Sequence, residues 1–86
     1  MSDRERTELR VEVVHRLSSR DLLLLSGRRS GGHLAVGDAI TIKTPTGTTI
    51  RSAIKTIELH SRPGMTTVGV PASTGDIPVG SVLYPD

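Results

Sequence analysis

The apolar residues of this chain come in short segments, and Gly, Pro or Asp stands between one segment and the next. That punctuation suits strands joined by turns better than helices. Val, Ile and Thr supply 24 of the 86 residues, and such β-branched side chains pack well on a pleated surface. A chain of this length makes one domain, and folding hides only roughly 60–65% of its extended surface. Cysteine is absent, so neither a disulfide nor a thiolate–metal site supplements so small a core.

Charge and aromatic content narrow the function. The formal net charge is +2, and the seven basic residues in the first 29 positions are interleaved with five acids. That describes a solvated mixed surface rather than a polybasic arm. Tyr84 is the only aromatic residue, whereas single-stranded nucleic-acid binders stack bases on several. No run of about 20 apolar residues offers a membrane span. The opening MSDRERTELR has no apolar signal-peptide region, so the expectation is a cytoplasmic protein with no membrane partner.

Residues 1–8 read as a disordered leader and 9–86 as the folded domain. Leu9, Val11 and Val13 alternate as in a half-buried strand, with Arg10 and Glu12 facing water. Leu9, Val13 and Leu17 also fit a helical spacing, and the β-branched content favours the strand. After a turn at residues 18–21 come four leucines, Leu22, Leu23, Leu24 and Leu25. In a strand, Leu22 and Leu24 share one face while Leu23 and Leu25 share the other. Gly27, Gly31 and Gly32 then break the chain before an apolar piece at residues 34–36.

The turn at Gly37-Asp38 leads to a strand at 39–44, where Ile40 and Ile42 alternate with Thr41 and Lys43. Pro45-Thr46-Gly47 makes a hairpin turn. A strand over 48–60 changes parity between Ile50/Ile54 and Ile57/Leu59, which predicts a bend near Lys55-Thr56, as a closing barrel needs. Turns at Pro63-Gly64 and at residues 73–76 flank a strand containing Thr66, Val68 and Val70, and a strand at 81–83 ends the chain. Six or seven antiparallel strands of this kind predict an all-β barrel, closed or nearly closed.

Ser26-Gly27-Arg28-Arg29-Ser30-Gly31-Gly32-His33-Leu34-Ala35-Val36-Gly37-Asp38 resembles a segment of domain II of the translation GTPases, as in elongation factor Tu. There a strand ends in a Thr-Gly-Arg type sequence, and a glycine leads to a hydrophobic-x-Val-Gly-acid turn. Gly75-Asp76-Ile77-Pro78-Val79-Gly80-Ser81-Val82-Leu83 is similar to the family's closing strand. The resemblance spans residues 9–85 and implies a domain II type β-barrel, with Gly37, Asp38, Gly47, Gly64 and Gly80 as structural turn residues. Domain II contacts aminoacyl-tRNA or ribosomal RNA in those factors. Two departures stand out: residues 18–21 replace the family's Gly-Arg-Gly element, and no Gly-x-x-x-x-Gly-Lys-Ser/Thr loop exists for a nucleotide.

His15, His33 and His60 have no ligand spacing among them, and no Gly-x-Ser-x-Gly elbow is present. No metal, cofactor or catalytic residue is expected. The glycine-flanked Arg28-Arg29 pair is a candidate anion site, since backbone N–H groups in a glycine turn can join guanidinium groups around a phosphate. Lys43, Arg51 and Lys55 would extend it into an RNA-binding face, or form an ordinary solvated one. The favoured expectation is a non-catalytic binding module that docks on a protein partner, or on a second copy of itself, through the outward leucines of residues 22–25. The alternative is an RNA- or ribosome-associated accessory protein. A small-ligand binder or an enzyme is the third reading.

Overall fold

The structure, a computed structural model, describes residues 7–58 and 63–86. Seven strands form it: β1 (Glu8–Leu17), β2 (Leu22–Ser30), β3 (Ala39–Lys43), β4 (Thr49–Ala53), β5 (Thr56–Glu58), β6 (Thr66–Pro71) and β7 (Val82–Pro85). They make one antiparallel sheet in the order β4-β3-β7-β1-β2-β6-β5. The only helical pieces among the described residues are single 3₁₀ turns, Ser18–Arg20 and Ala72–Thr74. The sheet is open, because no ladder among the described residues joins its edge strands, β4 and β5. Yet Ile54 and Lys55 alone separate those edges in sequence. Three peptide steps span at most about 11 Å, so the sheet must curl to bring its ends that close.

One face of the curl is the core. The register sets Leu9 beside Leu83, Leu83 beside Ile42, Leu23 beside Val70 and Leu25 beside Val68. These residues, with Val11 and Ile40, are buried, and Leu34, Ile54 and Ile77 from the connections complete the cluster. Burying each such side chain contributes about 1.5–3 kcal/mol. β1 is a strand, not a helix, but the expected alternation holds only through Val11. The bulge between Val11 and Val13 reverses the parity, so Val14 turns inward opposite Leu25, and Val13, expected on the face of Leu9 and Val11, is 51% exposed on the other.

Four local expectations are corrected. The strand expected over 48–60 divides at Ile54-Lys55. There Ile54 N–H donates to the Asp38 carbonyl at 3.0 Å, and Lys55 N–H to the Gly69 carbonyl at 2.7 Å. The chain thus passes from the β3 side of the sheet to the β6 side, and the parity change marks that crossing; Leu59 and His60 lie outside the described residues. Gly27 does not break the chain, since β2 continues through it to Ser30. Residues 34–36 form no strand, because Leu34 is buried as a single plug while Val36 is exposed. The last strand is Val82–Pro85 rather than 81–83, paired with both β1 and β3.

β1 begins at Glu8, opposite Ser30 of β2, and Thr7 Oγ1 accepts from Gly32 N–H at 2.9 Å. Residues 1–6 of the expected leader lie outside the described residues. Gly37, Gly47, Gly64 and Gly80 all have positive φ. At Gly37 the turn is fixed by its neighbour, whose Asp38 Oδ2 accepts from Ala35 N–H at 2.9 Å.

Candidate functional site

The four leucines divide by face. Leu23 and Leu25 are core residues, 3% and 0% exposed, so the outward pair is Leu22 and Leu24. Opposite them on β6 stand Pro71 and Gly69. With no side chain at Gly69, both leucines lie against it; a Cβ there would meet Leu24 Cδ2 at 3.3 Å and Leu22 Cδ1 at 3.5 Å. Leu22 is thereby buried, while Leu24 is half-buried. On β1, the outer face of the same hairpin shows Leu17 opposite Leu22, His15 opposite Leu24, and Val13 opposite Ser26. Val13 is 51% exposed. The result is an apolar strip of Val13, Leu24 and Leu17 on the solvent side, bordered by the Ser26–Thr67 hydroxyl pair at 2.6 Å.

Of the expected basic residues, Arg28, Lys43 and Arg51 are exposed on the outer face, with Lys43 and Arg51 on the adjacent strands β3 and β4, whereas Arg29 is not part of that surface. Arg28 and Arg29 are strand neighbours and project to opposite faces. Arg29 shares the face of Leu9, and its guanidinium donates to the carbonyls of Gly31 and Gly32. The glycine turn therefore offers it carbonyl oxygens, which is the wrong polarity for an anion nest built on both arginines. Arg51 lies 3.9 Å from Asp86 Oδ2, and Lys55 sits at the corner between β4 and β5.

The register also assembles a row on the outer face. Arg28 is opposite Arg10, Arg10 opposite Val82, and Val82 opposite Lys43. Arg10, Arg28 and Lys43 are all exposed. At about 4.8 Å per strand the row spans roughly 14 Å. Arg28 also faces Glu12 at 3.6 Å, an exposed ion pair of small energetic weight. Arg10 was not legible as a partner of Lys43, because only the intervening β7, from the far end of the chain, aligns them.

A third feature lies on the inner side of the curl. A cleft of about 440 Å³ is lined by Val14, Arg16, Leu23, Asp76, Ile77 and Pro78. It adjoins β1 just beyond the bulge. Among the described residues no group of three or more His, Asp or Glu is placed to hold a metal ion. His15 is on β1 and His33 in the connection after β2, while His60 lies outside the described residues. No helix among the described residues is long and apolar enough to cross a membrane.

Comparison of the chain with protein-family models, with curated proteins and with solved structures finds no match.

Proposed function

We propose that this chain is a non-catalytic, cytoplasmic binding module whose curled sheet is a small barrel of the translation-factor domain II type. It docks on a protein partner through the outer face of the β1–β2 hairpin. The observation that carries this reading is the strip of Val13, Leu24 and Leu17 left partly exposed on the outer face, beside the buried Leu22 and bordered by His15, Ser26 and Thr67. A contiguous apolar patch with a polar rim is the pattern of a protein-docking surface. The barrel supports the role by holding the hairpin rigid: its inner face is core, so the outer face is free for recognition. The test replaces Val13 and Leu24 with polar residues and asks whether partner capture is lost while the fold remains.

A second reading is favoured by the row Arg28, Arg10 and Lys43. An exposed cationic row of this length matches two or three phosphates of an RNA strand, so the chain would be an RNA- or ribosome-associated accessory protein. With three cations, binding would be weak and steeply salt-dependent. Salt separates the two readings, since apolar docking does not fade with ionic strength.

A further inference from the structure

The β1–β2 hairpin has a backbone edge that the sheet does not use. Pairing between β1 and the β7 side ends at Val11, whose N–H donates to the Ser81 carbonyl at 2.8 Å and whose carbonyl accepts from Gly80 N–H at 2.9 Å. The bulge follows at once, and bulges bend a strand and end its pairing. Glu12 is the bulged residue, and from Val13 to Leu17 β1 pairs with β2 alone among the described residues. In an antiparallel strand, alternate residues turn their N–H and C=O groups to opposite sides. Part of the backbone of residues 12–17 therefore faces away from β2 with no strand to meet it. A row of unpaired groups like this is a template for a further strand. The two formal edges of the sheet are poorer templates. β5 has only three residues, and β4 is tied at its end by the Ser52–Thr74 hydroxyl pair at 2.8 Å.

We propose that residues 12–17 of β1 form a strand-addition site for an extended peptide. The peptide carries an apolar side chain facing the cleft and an acidic side chain two residues along, beside Arg16. The cleft gives that chemistry. A strand laid along this edge puts alternate side chains on the inner face, next to Val14 and then Arg16. The residue beside Val14 enters the space bounded by Leu23, Ile77 and Pro78, all apolar. The residue beside Arg16, an exposed guanidinium, is best matched by a carboxylate, because opposite charges across a ladder attract. Asp76, an exposed carboxylate in the cleft wall, disfavours an acidic side chain in the position beside Val14. On the outer face the added strand covers the flank of Val13, extending the strip described above. The inference rests on the reading of this chain as a protein-docking module and specifies the partner's conformation and charge.

The probes are two capped heptapeptides in a threonine background, one with Val and Glu two residues apart and one with Lys in place of Glu. Backbone amide exchange and side-chain methyl spectra of the full chain are followed by NMR as each is added. The Glu peptide is expected to slow exchange within residues 12–17 and to bind about fivefold more tightly than the Lys peptide, with Arg16→Glu reversing that order. Arg16 is exposed, so an unchanged spectrum away from the edge shows that the variant folds. Absence of slowed exchange with both peptides overturns the proposal. Binding indifferent to the Arg16 charge overturns the acidic assignment, and slowing that depends on protein concentration without peptide overturns it in favour of a second copy. Shifts confined to Val13 and Leu24 methyls, with no slowing, overturn strand addition but leave the outer-face docking reading intact.

Discussion

Gly27 of β2 packs directly on the backbone of Arg10 of β1: a Cβ at Gly27 would run into the Arg10 carbonyl oxygen. Backbone cannot yield as a flexible side-chain tip can, so Gly27→Ala must displace the hairpin just before its bulge. The expected cost is about 2–4 kcal/mol, read from the urea midpoint, with amides near Arg10 and Val11 losing protection first. An Ala variant as stable as the parent would contradict this register.

The two faces of the leucine strand predict opposite outcomes for neighbouring substitutions. Leu25 is fully buried between Val14 and Val68 in the register, so Leu25→Ala should cost about 2–5 kcal/mol. Leu24 lies outside the core cluster, and Leu24→Thr should cost below about 1.5 kcal/mol. Paired urea denaturation curves check the difference directly.

Thr56 Oγ1 is buried without a hydrogen-bond partner, close under Gly69. A hydroxyl in that position has lost water and gained nothing in return. Thr56→Val keeps the branched shape and removes the unpaired group. It should stabilise the fold by about 1 kcal/mol, seen as a higher urea midpoint at unchanged slope.

The cationic row predicts where any polyanion binding would reside. If a single-stranded RNA oligonucleotide binds, Arg10→Glu and Lys43→Glu should each lower the salt slope by about 1. Arg29→Gln should leave it unchanged, because Arg29 projects to the other face and is engaged by the Gly31 and Gly32 carbonyls. Fluorescence anisotropy over a salt series measures all three.

Much of the fold was legible because period-2 alternation marks which side chains share a face: Leu9 and Val11, Ile40 and Ile42, and Val68 and Val70 all entered the core from that pattern. The four leucines could not be assigned in this way, since alternation in an all-apolar run has no phase. Only pairing with Val70 and Val68 put Leu23 and Leu25 inside. The Gly27-to-Ser30 stretch read as a break because glycine usually marks a turn. Here the residue is needed for close approach within a strand. Arg10 and Arg16 stayed hidden for a related reason: a charged residue on a strand reads as solvated until register or a neighbouring loop gives it company. The parity change at residues 54–57 signalled a bend but not its extent, which is a crossing between the two edges of the sheet.

The most direct test of the docking reading is affinity capture of the tagged chain from its native lysate, at low and at high salt, with protein and RNA analysed separately. The Val13→Lys/Leu24→Thr double variant and Arg10→Glu are run beside the parent, each first shown to be folded by circular dichroism. Outer-face docking predicts one protein that persists at high salt, survives Arg10→Glu and disappears with the double variant. Capture of RNA that is lost at high salt and with Arg10→Glu, but unaffected by the double variant, would contradict it.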